Sequence, residues 1–449
     1  MNTIVALSTP YGTGGIAVIR VSGPEALSVV SRCWKGADLT EVKSHTAHLG
    51  DILAADGTVL DNAVLTIFRG PKSYTGEDTV EISIHGSKWL QRQIVDRIAE
   101  AGARPAEPGE FTRRAFINGR IDLAQAEGIA DLLSASSRAA HRLAVMQMNG
   151  SFSARLDELR DRLVELASLL ELELDFSEEE VEFADRDKLC GLTEETLGLI
   201  SRLASTYKSG KVFKEGVPVA IAGRPNAGKS TLLNALLDED KAIVSDMPGT
   251  TRDVIEDTVE IGGILFRFYD TAGLRSTSDS VEQIGIERAR SVISRAAIVL
   301  WLVDPTDDVD SQISEARILV PQDSDKKLVI VYTKSDLVKR EEEEVQNGIS
   351  ISVKEGTGLD KLKSMLVESA RQEHDPESEL IVTNARHYAA LNAAAESLRR
   401  VREGLSNGIS ADFLAQDIRE AISHLSEITG RITTETLLQN IFANFCIGK

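Results

Sequence analysis

The chain has 449 residues, 42% apolar and 27% charged, too long for one ordinary core and suited to two to four globular domains. A formal net charge of −20 excludes binding to nucleic acid over the whole surface, so any RNA contact must use a local basic patch or a partner's surface. Cys33, Cys190 and Cys446 share no CxxC spacing, which argues against a disulfide framework or zinc site and for a reducing cytoplasm.

The first 118 residues read as mixed α/β. Strands are expected at Thr3–Leu7, Gly15–Val21, Ala63–Phe68 and Val80–His85, with turns at Ser22-Gly23-Pro24 and Gly70-Pro71. Met1-Asn2-Thr3 opens directly into the first of these, so no signal peptide is expected. Trp89 to Ala101 has the pattern of an amphipathic helix. From about Arg120 to Lys211 the period becomes helical, with Leu156, Leu159, Leu163, Leu166 and Leu170 forming one apolar stripe. The helical period returns late in the chain at Leu391, Leu398 and Leu405, then at Leu414, Ile418, Leu425 and Ile428. Each helical block alone is a poor core. Either the two pack together around an inserted domain, the simpler arrangement, or they form two separate helical domains. Glu178–Glu180 and Glu341–Glu344 read as solvated helix ends or loops.

Between the blocks lies a sequence of chemical motifs. Apolar Val217–Ala222 leads into Gly223-Arg224-Pro225-Asn226-Ala227-Gly228-Lys229-Ser230 and then helical Thr231–Leu237, a GxxxxGKS loop in its strand–loop–helix context. Backbone N–H groups of such a loop converge on phosphates, with Lys229 reaching the β- and γ-phosphates and Ser230 holding Mg²⁺. Gly249-Thr250-Thr251-Arg252-Asp253 offers switch threonines, and strand-like Ile264–Tyr269 ends in Asp270-Thr271-Ala272-Gly273. Leu328–Tyr332 delivers Thr333-Lys334-Ser335-Asp336, whose aspartate selects guanine, and Ile349–Val353 leads to the base loop Lys354-Glu355-Gly356. Five motifs in order imply a GTP-hydrolysing domain over residues 213–377. Leu274 stands where many GTPases carry a water-orienting glutamine, and no arginine finger is legible. The longest clean apolar run, Ala296 to Val303, is far short of the ~18 residues of a membrane span.

Together with the C-terminal Phe445-Cys446-Ile447-Gly448-Lys449, these motifs resemble the MnmE (TrmE) family of tRNA-modification GTPases. The stretches Gly14–Arg20, Ser73–Asp78, Pro108–Thr112 with Arg114-Ala115-Phe116, Asp122–Glu127 and Leu425–Gly430 agree, so the resemblance covers nearly the whole chain. It implies a multi-domain α/β plus α fold. A folate-binding, dimerising α/β domain would occupy residues 1–118. A helical-bundle domain (119–212 and 378–449) would be interrupted by an inserted Ras-like P-loop GTPase domain (213–377). The family installs a carboxymethylaminomethyl or aminomethyl group at carbon 5 of the wobble uridine of certain tRNAs. It works with a flavin-dependent partner (MnmG, also called GidA), as a cytoplasmic homodimer that assembles into a heterotetramer. Its cofactors are Mg²⁺, K⁺ and a 5-formyl- or 5,10-methylene-tetrahydrofolate.

Residue by residue, the resemblance implies folate contacts at Arg20, Glu81, Arg120 and Lys449, with Cys446 nearby as a candidate for chemistry. Potassium would be held by Asn226, by backbone oxygens of Ser245 and Met247, and at Thr250; Mg²⁺ would be held by Ser230 and Thr251. Glu282 would help position the hydrolytic water, acting with Asn226 and Lys229. The nucleotide site then comprises Asn226, Ala227, Gly228, Lys229, Ser230 and Thr231, the loop Ser245, Asp246, Met247, Pro248, Gly249, Thr250 and Thr251, then Asp270, Thr271, Ala272 and Gly273, and finally Thr333, Lys334 and Asp336. Four positions depart from the family pattern. Thr333 replaces asparagine, Val353 replaces alanine, Thr13 replaces arginine, and Arg120 replaces lysine.

Taken alone, Arg20 reads as a surface arginine, and Glu81 and Glu282 as solvated carboxylates. Arg113, Arg114 and Arg120 form either a tRNA-facing patch or an ordinary solvated face. A ribosome-associated assembly GTPase is the alternative function, but that class typically adds a basic RNA-binding module, and this chain is acidic.

Overall fold

The computed structural model describes residues 2–175, 186–239, 256–270, 290–324, 326–338, 348–371, 380–443, 445 and 448. It divides into two compact units, Met1–Ala130 with Met146–Phe183 and Ala411–Lys449, and Asp131–Val145 with Ala184–Ser410.

The first unit is built on β1 (Ile4–Leu7), β2 (Ile16–Ser22), α1 (Ala26–Ser31), β3 (Trp34–Lys35), β4 (Thr46–Leu53), β5 (Val59–Phe68), β6 (Thr79–His85), α2 (Lys88–Glu100) and β7 (Arg104–Pro105). The seven strands lie in the order β3-β4-β5-β6-β2-β1-β7, antiparallel except for the short β1–β7 pair. Alternation sets the faces. Ala17, Ile19 and Val21 of β2 and Val80, Ile82 and Ile84 of β6 join Ile94 and Ile98 of α2 in one core. Arg20 and Glu81 therefore fall on the opposite face. The four expected strands and the helix are present. β4 carries no such signal in the sequence, because its residues are half-buried or exposed apart from Ile52.

Helices α3 (Glu110–Ile117), α4 (Leu123–Ser134), α5 (Arg138–Met148) and α6 (Ser151–Asp175) follow. The leucine stripe lies on α6, with Leu156, Leu159, Leu163, Leu166 and Leu170 all 1% exposed or less. Beyond come α7 (Arg186–Ser205), α8 (Tyr207–Glu215), β8 (Val217–Gly223), α9 (Lys229–Glu239), β9 (Glu256–Ile261), β10 (Ile264–Asp270), β11 (Ile298–Val303), α10 (Val309–Leu319), β12 (Lys327–Tyr332), β13 (Gly348–Ser350), α11 (Leu359–Arg371), α12 (Ala385–Ser406), α13 (Ala411–Thr429) and α14 (Glu435–Phe442).

In the second unit six strands order as β13-β12-β11-β8-β10-β9, parallel except for β9. Its parallel strands are buried on both faces and read as continuous apolar runs, as expected of the inserted α/β domain. β11 is the clearest case, buried at all six residues. Helices from before and after this sheet pair within each unit, α6 with α13 in the first and α7 with α12 in the second. The helical domain is thus interrupted by the GTPase domain. Among the described residues, no helix is long and apolar enough to cross a membrane.

Candidate functional site

β8 runs through the centre of the second sheet and ends at Gly223, whose φ of +145° few side chains adopt. A Cβ there would also lie 2.5 Å from the Leu302 carbonyl of β11, so the loop needs glycine to leave the sheet. The next turns use positive φ at Asn226 (64°) and Gly228 (93°), wrapping the backbone around the start of α9. Leu232 and Leu236, both fully buried, lock that helix into the core. Lys229 opens α9, and its ammonium donates to the carbonyls of Gly223 (2.9 Å) and Arg224 (2.8 Å). The charge thereby spans the loop in which phosphates are bound. Ser230, Thr231 and the next N–H groups follow at the helix N-terminus, where anions are favoured.

Arg224 anchors this loop from its outer side. Its guanidinium bonds Asp307 (3.1 Å), Ser311 (2.6 Å) and both oxygens of Glu315, tying the loop to α10. Sequence reasoning assigned this residue no role, because nothing local names its partners.

The base-reading end is formed where β12 and β13 stop. Ser352, fully buried, donates its hydroxyl to Asp336 Oδ1 at 2.9 Å and so fixes the orientation of that carboxylate. Lys334 takes a left-handed φ of 54° and pairs with Asp304. Burial pushes the Asp304 carboxyl up, but bonds from Lys334 and Thr306 outweigh it and hold it below the usual range. Thr333 is 5% exposed, and both its amide (3.0 Å) and hydroxyl (3.2 Å) donate to the Val303 carbonyl. Its only hydroxyl proton is committed to the sheet. β10 delivers Asp270 at its end, in register with Ile221 of β8. Ser245, Asp246, Met247, Pro248, Gly249, Thr250, Thr251, Thr271, Ala272, Gly273 and Glu282 lie outside the described residues.

A second constellation lies on the open face of the first sheet. Arg20 and Glu81 are register partners on β2 and β6 and pair at 2.8 Å. The Arg20 guanidinium sits 5.2 Å from the Tyr74 ring centroid and 5.6 Å from that of Phe111. Its remaining nitrogen points to the Gly448 carbonyl at 3.4 Å, which also accepts from Ser8 at 3.1 Å. Gly448 itself needs its φ of +97°, since a Cβ would stand 2.1 Å from the Leu7 carbonyl. Gly448 is thus drawn to the Arg20–Glu81 pair; Cys446 and Lys449 lie outside the described residues.

Arg120 is exposed and lines an open cavity of about 360 Å³ with His45, Phe68, Lys72, Ser73 and Tyr74. Tyr74 therefore touches both the Arg20 guanidinium and the cavity of Arg120. Burial pushes its hydroxyl pKa up, and that hydroxyl bonds Thr112 at 2.8 Å. The expectation of a surface patch at Arg113, Arg114 and Arg120 is corrected. Arg114 is 3% exposed and is bound by Glu77 and Glu110, and Arg113 pairs with Glu435.

A family model described as the MnmE helical domain matches residues 123–446, and one described as the GTP-binding protein TrmE N-terminus matches residues 3–120. The chain is similar to the tRNA modification GTPase MnmE of Bacteroides thetaiotaomicron, with 49% identity over 465 residues covering 100% of this chain and 99% of the relative. The protein of that name from Parabacteroides distasonis is 47% identical over 461 residues, covering 100% of both. The one from Cytophaga hutchinsonii is 46% identical over 458 residues, covering 100% of this chain and 98% of the relative.

Proposed function

The chain belongs to the MnmE family of tRNA-modification GTPases and is a GTP hydrolase of tRNA modification; on that basis we propose that it adds a carboxymethylaminomethyl or aminomethyl group at carbon 5 of the wobble uridine of certain tRNAs. It does so with a flavin-dependent partner (MnmG, or GidA), as a cytoplasmic homodimer within a heterotetramer, using a tetrahydrofolate one-carbon donor. The domains are residues 1–118, a helical domain of 119–212 and 378–449, and the GTPase domain at 213–377.

The observation that carries the folate reading is the meeting of Arg20, Glu81 and the Gly448 carbonyl, residues far apart in the chain. This donor set fits a folate. Glu81 Oε2, which has no protein partner among the described residues, suits a pterin amide, and the cation of Arg120 at the nearby cavity suits a glutamyl tail. Lys449 completes the pocket, with Cys446 beside it. The bound folate supplies the one-carbon unit; the protein's residues orient it.

In the GTPase domain Lys229 neutralises the β- and γ-phosphates, and Asp336, held by Ser352, reads the base. Ser230 and Thr251 would hold Mg²⁺, their hydroxyls being hard oxygen donors. Asn226 stands exposed in the loop, and its amide oxygen suits a weakly hydrated monovalent cation, K⁺, with Ser245, Met247 and Thr250. That ion supplies the positive charge an arginine finger supplies elsewhere. Glu282 positions the attacking water.

Mass spectrometry of wobble uridines in cells lacking the protein tests the reading. Loss of the carbon-5 substituent is expected. Intact substituents together with a ribosome-assembly defect would replace it with the assembly-factor reading.

A further inference from the structure

A basic and aromatic patch lies on α2 and on the loop after β1, in a chain whose net charge is −20. The loop from Ser8 to Gly15 connects β1 to β2, and Ser8 at its start holds the Gly448 carbonyl. Three residues further on, Tyr11 is 66% exposed, with the Lys88 ammonium 5.9 Å from its ring centroid. Lys88 opens α2. At ~100° per residue, Lys88, Arg92 and Trp89 fall within about a quarter-turn of one another on the solvent face of that helix. Trp89 is 61% exposed, and the Arg92 side chain is 78% exposed. Exposed aromatic rings near two cations make a surface suited to a ligand with both flat bases and anionic groups.

Below Tyr11 a groove of about 320 Å³ runs between α2 and β1, walled by Leu7, Val95 and Pro105 and flanked by Arg92. Gln91 lines it and is only 3% exposed. Its amide nitrogen donates to the Gly12 carbonyl at 2.8 Å, which steadies the loop carrying Tyr11. Among the described residues the amide oxygen has no hydrogen-bond partner.

We propose that Tyr11, Trp89, Lys88 and Arg92 form a docking platform for single-stranded RNA. Bases stack on the exposed rings of Tyr11 and Trp89, while phosphates lie on Lys88 and Arg92. This rests on the tRNA reading above and names where on this chain the RNA loop lands. Aromatic stacking tolerates any base, and cation contacts track the backbone. Asp96, the acidic group facing Arg92 at 3.8 Å, offsets part of the positive charge, so stacking carries most of the affinity.

The test is binding of the full-length protein to an unmodified anticodon stem-loop RNA with uridine at the wobble position. Tyr11→Ala and Trp89→Ala should each weaken binding about ten-fold, and Tyr11→Phe should restore it. Lys88→Gln combined with Arg92→Gln should reduce the slope of log affinity against log salt by about 0.7 per charge removed. Melting curves and GDP binding report whether each variant is folded. Unchanged affinity in folded alanine variants, or no binding by the wild type at low salt, overturns the platform and leaves the tRNA reading standing. Dissociation of a dimer by Tyr11→Ala also overturns it, because a second copy then covers the face. Intact wobble modification in cells without the protein overturns the tRNA reading and the platform with it.

Discussion

Arg20 and Glu81 face each other across two antiparallel strands, and two nitrogens of the arginine, Nε at 3.0 Å and Nη2 at 2.8 Å, converge on the single oxygen Oε1. The arginine thereby turns the carboxylate and leaves Oε2 for a ligand's N–H groups. Calorimetry with 5-formyltetrahydrofolate should show Glu81→Ala weakening binding by at least about ten-fold, the worth of a hydrogen bond to a charged group. Unchanged affinity would remove Glu81 from the site.

Potassium dependence is the expected mark of the nucleotide site. GTP turnover should be low in sodium buffer, rise sharply in potassium, and rise with protein concentration. Asn226 has a φ of 64°, so alanine there adds backbone strain of about 1–2 kcal/mol. Asn226→Gly removes the amide without that strain and should abolish the potassium response while GDP binding stays nearly intact. Equal rates in the two salts at matched ionic strength would sink the idea and direct attention to Arg252 or Arg275.

Thr333 is a specific weakness in the base site. Its hydroxyl donates to the Val303 carbonyl, so it cannot also serve the base or the phosphate loop as an asparagine amide does. Thr333→Asn should tighten GDP binding several-fold, a gain on the order of 1 kcal/mol, while Asp336 maintains guanine selectivity. Weaker binding in the variant would mean that the threonine is adapted to its sheet.

A buried charge cluster should set the acid limit of the first unit. Glu110, 6% exposed, is bound by Arg104 and Arg114. Burial pushes its carboxyl up, yet the bonds from Arg104, the Glu107 amide and Arg114 outweigh this and hold it low. Folding lowers its pKa, so the stability it contributes is present above the unfolded value of about 4.3. That stability is lost as pH falls through the lowered folded value. Thermal melts should show the wild type losing stability below about pH 4.3 and Glu110→Gln losing less. Arg114→Met should cost up to about 3–5 kcal/mol at neutral pH, because it removes the buried cation shared by Glu77 and Glu110 and leaves Glu110 to Arg104 and the Glu107 amide. Parallel acid profiles for wild type and Glu110→Gln would place the sensitivity elsewhere.

Local patterns in the chain were enough for much of this. The leucine stripe of α6, the apolar runs of β8, β11 and β12, and the strand–loop–helix context of Lys229 depend on residues within a turn or a strand of one another. Period and spacing therefore report them directly. β4 escaped notice because one exposed face and one half-buried face leave little alternation to read. Arg114 was misjudged for a related reason. Its charge suggests solvent, whereas its carboxylate partners, Glu77 and Glu110, come from a loop and the previous helical turn, and the neutralised group can be buried.

By itself, then, the sequence determined that a GxxxxGKS loop stands between a strand and a helix, and which helices have a face to bury. Only the tertiary structure decided that Arg20 meets a carbonyl 428 residues away and that Ser352 holds Asp336. It also decided that Arg224 ties the phosphate loop to α10. Such pairings depend on how sheets and helices stack after their buried faces are satisfied, and polar partners chosen at that stage leave no period in the chain.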